Sequence, residues 1–92
     1  MSEAVLETVV REEWGRLTSM LLAQYRRLDL VEDAVGDVVE AAARHWTSSG
    51  PPDNPPAWLL TTARRRVLDR MRAESMAQRK AVLLVTEAER RQ

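Results

Sequence analysis

The sequence predicts an all-α fold: a compact bundle of three helices with a C-terminal, helical tail. Two long stretches carry apolar residues at spacings of three and four, the period of an amphipathic helix. A Pro-rich stretch then closes on Asn54-Pro55-Pro56, a strong start signal for a third helix.

The first helix begins at Ser2, placed to act as N-cap, with Glu3 complementing the helix dipole. Leu6, Val10, Trp14, Leu17, Leu21, Tyr25 and Leu28 form its stripe, and Trp14 reads as a core residue. Gly15 is a tolerated weakness of about 1 kcal/mol. The helix is expected to end at Arg26-Arg27, with a short turn at Leu28-Asp29.

Asp29 is expected to cap the second helix, which runs to about Trp46. Val31, Ala34, Val35, Val38, Val39, Ala42 and Trp46 supply its apolar side. Ala34, Gly36, Ala41, Ala42 and Ala43 would let another helix approach closely. Asp33, Asp37 and Glu40 form an acidic row whose like charges repel when unpaired. That row reads either as a solvated face or as a docking surface for a basic protein.

Residues 47–56, TSSGPPDNPP, are the loop-rich segment and hold all four prolines. Because proline fixes φ, the loop is stiff. It reads as an ordered turn, or as the wall of a pocket for one base beside Trp58.

The third helix runs from Pro55 to Arg72 at least, with Arg79 as a further candidate end. At about 100° per residue, Leu60, Ala63, Val67 and Met71 share one face. Trp58, Thr61, Thr62, Arg65, Asp69 and Arg72 gather on the other. An aromatic plane, two hydroxyls and guanidinium groups together suit a single-stranded nucleic acid. Beyond it, AVLLV at residues 81–85 has no clear amphipathic period. It packs back on the bundle, continues the helix outward, or begins a linker.

Ninety-two residues make one domain with a thin core. The absence of cysteine removes disulfides and thiolate metal sites. No apolar run approaches the roughly 18 residues of a membrane span, and the acidic N-terminus is unlike a signal peptide. A cytoplasmic protein without membrane contact is expected. Net charge is zero, yet residues 1–54 carry five Arg against ten acids, and residues 55–92 carry nine Arg or Lys against four. Either the halves neutralise each other or they serve two partners, one basic and one a polyanion. His45 is the sole histidine and lies in no catalytic motif, and the sequence holds no phosphate loop or metal-ligand cluster. No enzyme activity and no cofactor are expected.

DLVEDAVGDVVEAAARHW, a loop, and NPPAWLLTTARRRVLDRMR together resemble region 2 of bacterial sigma factors, most closely the extracytoplasmic-function (ECF) group of the sigma-70 family. That group shows an acidic helix ending in Trp, a short loop, and a helix of the type AWLxxxARRxxxDxxR. The resemblance covers roughly residues 5–75. PDNPPAWLLTTARRR is similar to an ECF subgroup whose members carry an additional C-terminal domain.

The resemblance implies a bundle of the sigma region 2 type over residues 1–75, with residues 76–92 leading to a linker. It implies that the second helix docks on the basic clamp helices of the RNA polymerase β′ subunit. Glu32, Asp33, Asp37 and Glu40 are then candidate contacts, with Val38 and Val39 shared between core and interface. It further implies that the third helix and its loop recognise the promoter −10 element and hold its non-template strand single. Ser48, Ser49, Asp53 and Asn54 would line the pocket for a flipped base. Trp58, Thr61, Thr62 and Arg65 would lie along the strand, and Arg64, Arg66, Arg70 and Arg72 would contact its backbone. Many relatives carry a second aromatic at the position of Leu60 and an asparagine at that of Arg65, so phosphate contact is the expectation for Arg65. An anti-sigma factor or an appended regulatory domain is among the partners the family admits. Its −35-reading helix-turn-helix does not fit in residues 76–92, so the chain reads as one domain of a longer protein.

Extruding a base costs a few kcal/mol and an aromatic stack returns about 1–3, so this domain alone is expected to melt nothing. The alternative reading is a helical interaction module that dimerises through AVLLV and the small-residue helix, without nucleic-acid binding. A duplex-reading helix-turn-helix fits less well, because its turn has three or four residues.

Overall fold

A computed structural model describes residues 3–91, with side chains from residue 6 onward, and contains three helices: α1 (Glu3–Tyr25), α2 (Leu28–Ser49) and α3 (Pro55–Arg91). The expected cap at Ser2 lies outside the described residues. Leu17 and Leu21 anchor α1 in the core, with Leu6, Val9 and Tyr25 packed against it. Trp14 departs from its expected core position and is 41% exposed. It lines the edge of the α1–α2–α3 junction beside Val10, Val39 and Leu59. A bundle this small has too little interior to enclose a ring of that size at its margin.

The α1–α2 turn is two residues long. Arg26 takes a left-handed conformation (φ 56°) and donates its N–H to the Leu22 carbonyl at 2.8 Å, an αL helix end without the usual glycine. Arg27 is extended and occupies the N-cap position of α2 without a side-chain cap. Asp29, expected as the cap, instead sits inside the first turn, where its charge still complements the dipole.

Helix α2 is the central element. Val31, Ala34, Val35, Val38, Ala42 and Trp46 are buried against both neighbours. The alanines do provide the close approach, whereas Gly36 is exposed and faces no neighbour. The helix runs three residues past Trp46 because Thr47 and Ser48 hydroxyls donate back to the carbonyls of Ala43 and Arg44. Gly50 ends it at φ 81°, its N–H meeting the Trp46 carbonyl at 3.0 Å. The connecting loop is therefore five residues, 50–54, rather than ten.

Asn54 caps α3 as its sequence suggests. Its Oδ1 accepts the Ala57 N–H at 3.2 Å, and its carbonyl accepts the Trp58 N–H at 3.0 Å. The buried stripe is Leu59, Ala63 and Val67, one residue out of phase with the projection from Leu60. Leu60 is half-buried and Met71 is exposed. Past Val67 the same stripe turns polar, at Arg70 and Glu74, and ion pairs close the end of the bundle. From residue 76 onward α3 runs free of the bundle, with every described side chain exposed. At 37 residues it is about 55 Å long, which accounts for the 62 Å long axis of the molecule. The tail thus continues the helix outward. No Gly or Pro interrupts it, and Ala, Glu, Arg, Gln, Met and Leu all favour helix.

Candidate nucleic-acid interface

Trp58 stands at the start of α3 and is half-buried rather than free-standing. Its ring meets Trp46 edge-to-face at 5.4 Å (67°) and His45 at 6.3 Å (60°). The aromatic cluster thus couples the end of α2 to the start of α3 across the loop. Trp46 is buried, and its indole N–H has no hydrogen-bond partner among the described residues, which costs about 1–3 kcal/mol of desolvation. His45, exposed on the outer side of the cluster, was not among the residues the sequence singled out for this face. Its position depends on the α2–α3 crossing. One turn along α3, Thr61 is exposed and Thr62 half-buried.

The five arginines that follow fall into two classes. Arg64, Arg65 and Arg66 are exposed and hold no ion pair among the described residues. Arg70 is held by α2: it donates to the Asp37 carboxylate and lies 3.7 Å from Asp33. Arg72 lies 3.6 Å from Asp69 on the same exposed helix surface, a weak pair. Arg65 sits centrally on the face carrying Trp58, Thr61 and Thr62, and Arg64 and Arg66 project about 100° to either side.

The acidic row on α2 lies beside this arginine helix. Glu32 is exposed, Asp33 is 63% exposed at its side chain, and Glu40 pairs with Arg44 at 3.4 Å. Asp37 is the member drawn toward α3. Val38 is fully buried and offers no surface to a partner, because its side chain points into the Trp46 core. Val39 is half-buried at the rim.

The loop residues are arranged differently from a simple pocket wall. Ser48 and Ser49 belong to the last turn of α2, and the Ser48 hydroxyl is bonded to the carbonyls of Arg44 and His45. Asp53 and Asn54 are exposed in the loop. A groove of about 410 Å³ opens on the other side of Asn54, between α1 and the first turn of α3. Leu17, Met20 and Leu60 form its apolar floor, and Glu13 and Arg16 stand at its rim.

A second charged cluster, not evident from the sequence, joins the α1–α2 turn to α3. Arg27 donates two bonds to Glu74 (3.0 and 2.9 Å) and two to Asp29 (3.2 and 3.1 Å). Hydrogen bonding to Arg27 holds both carboxyls below the ordinary carboxylate range. The partners are 47 residues apart, so only the packed bundle brings them together. Among the described residues no cluster could hold a metal ion, and no helix is long and apolar enough to cross a membrane.

No solved structure matches the chain. The chain is 38% identical over 55 residues to "Uncharacterized protein R00370" of Rhizobium meliloti (strain 1021), a match covering 60% of this chain but 13% of that protein. A family model described as Sigma-70 region 2 matches residues 9–76, which takes in α1 from residue 9, the acidic row, the loop and the arginine helix. The chain therefore belongs to the sigma-70 region 2 family.

Proposed function

We propose that this domain binds the β′ clamp helices through α2 and holds the −10 non-template strand as single-stranded DNA along α3, as an ECF-type sigma factor in the cytoplasm. The observation that carries this reading is the unpaired run Arg64–Arg66 beside Trp58, set next to an exposed acidic row on α2. Two opposite charges on adjacent surfaces give one face to a basic protein and one to a polyanion. Glu32, Asp33 and Glu40 are the accessible polymerase contacts, with Asp37 shared with Arg70. Arg64, Arg65 and Arg66 contact phosphates, and Trp58 offers its exposed edge rather than a full stacking plane. Asp53 and Asn54 border the flipped base, with Ser48 and Ser49 behind them. Domain extent follows the same reading: residues 1–75 bind, and residues 76–92 lead onward.

The test is binding of the chain to a β′ clamp fragment at low salt, with Asp33→Lys as the probe. Asp33 is mostly exposed but lies 3.7 Å from Arg70, so its reversal should weaken clamp binding at least tenfold, read at a temperature where a thermal melt shows the variant folded. Absence of clamp binding, or an Asp33→Lys variant that binds equally well, overturns the assignment.

A further inference from the structure

The free part of α3 carries an apolar girdle for which the bundle offers no cover: Val82, Leu83, Leu84 and Val85 are 58–68% exposed. Exposure on this scale marks an interaction surface. The sequence around it has an unusual property when the helix is opposed to a second copy running antiparallel. Ala77, Ala81, Leu84 and Ala88 fall at spacings of four, three and four, the a and d positions of a heptad. Antiparallel pairing about the point between residues 82 and 83 sets Ala81 against Leu84 of the other chain, and Ala77 against Ala88. Each large residue then faces a small one, so the two backbones approach closely and the leucine fills the space left by the alanine.

The flanking charges obey the same symmetry. In an antiparallel pair, flanking positions of one kind face each other, and here they are Lys80 and Glu87. Lys80 of each chain meets Glu87 of its mate, twice per dimer. Among the described residues Lys80 has no ion-pair partner, and Glu87 pairs with Arg91 on the exposed surface of its own helix. Parallel pairing would instead set Lys80 opposite Val85 and leave it without an acidic mate. An isologous two-fold contact needs this self-complementarity, and few short sequences have it.

We propose that residues 77–88 form an antiparallel two-helix seam with a second copy of this chain. The overlap is about 18 Å of helix, at the small end of specific interfaces, so the dimer is weak and concentration-dependent. The seam continues the core-facing stripe of α3 and so lies about 100° around the helix from Trp58 and Arg65. Dimerisation therefore leaves the arginine face open, and the proposal does not depend on what that face binds.

Sedimentation equilibrium of the intact chain, from about 1 to 300 μM, provides the test. A monomer–dimer equilibrium with a micromolar constant is expected. Leu84→Glu should weaken it at least tenfold, while Leu83→Glu, outside the seam, should shift it less than threefold. Lys80→Glu and Glu87→Lys should each weaken association, and the double swap should restore it to within threefold of the original. Circular dichroism of each variant checks that the helix persists. A chain monomeric throughout the range, a double swap without rescue, or equal damage from Leu83→Glu and Leu84→Glu overturns the proposal.

Discussion

Replacing Arg65 by glutamine and, separately, Arg70 by glutamine separates the two kinds of arginine on α3. Both are guanidinium groups within six residues, and both were expected to touch DNA. In the fold Arg65 is exposed and unpaired, whereas Arg70 is half-buried against Asp37 with Asp33 at 3.7 Å. Each phosphate neutralised on a single strand contributes about 0.7 to the slope of log affinity against log salt. Loss of Arg65 should therefore reduce the slope by about 0.7, or about 2.6-fold less affinity lost between 50 and 200 mM salt. Loss of Arg70 should leave the slope unchanged and act on stability instead. A half-exposed ion pair supports about 0.5–1 kcal/mol, and in a domain of this size each kcal/mol moves the midpoint by about 4–8 °C. The assay is fluorescence anisotropy of a labelled −10-like strand at stepped salt, with the β′ clamp fragment present, beside thermal melts of each variant. If Arg70→Gln lowers the slope as much as Arg65→Gln, the division of the arginines by pairing is wrong. If Arg65→Gln leaves the slope unchanged, this face of α3 does not carry the strand.

Three further outcomes follow from the helix ends, the Arg27 cluster and the core. Arg26→Gly should raise stability by up to about 1 kcal/mol, because Arg26 is held at φ 56° where an L side chain is strained. Gly50→Ala should lower it by about 1 kcal/mol through the backbone alone, since an added Cβ would meet nothing within 4 Å at φ 81°. Urea titrations of both variants check the opposite signs. For Asp29 and Glu74 the folded carboxyls titrate below their unfolded values, near 4. Their stabilisation is thus present above about pH 4 and is lost as pH falls through the folded values. Arg27→Gln should flatten the fall in urea midpoint below about pH 5, and an unchanged pH profile would refute the coupling. Leu21→Ala, at a fully buried site, should cost about 2–5 kcal/mol, a large share of the roughly 5–14 expected for 92 residues. A near-neutral melt would show that α1 is not anchored there.

The local chemistry of the chain was sufficient to specify three helices and the start of the last one. Asn54 followed by proline needs no tertiary context, because its cap bonds run to residues three and four ahead. The acidic and basic segments were equally legible, since charge along one helix face depends only on spacing. Phase was less so: Leu59 and Leu60 are adjacent and chemically alike, and only packing against α2 selects Leu59 for burial. The burial of Trp58 went unread for the same reason, because Trp46 and His45 reach it from a different helix. Arg27 gave no signal beyond its charge, as its carboxylate partner lies 47 residues away. The composition of residues 76–91 permits a helix but says nothing of its direction. That direction is set by the polar ending of the α3 stripe at Arg70 and Glu74, where contact with the bundle stops. Sequence by itself determined that the chain forms three helices and where along them charge lies. Tertiary structure decided which charges are neutralised, because pairing depends on distances between helices that no local pattern contains.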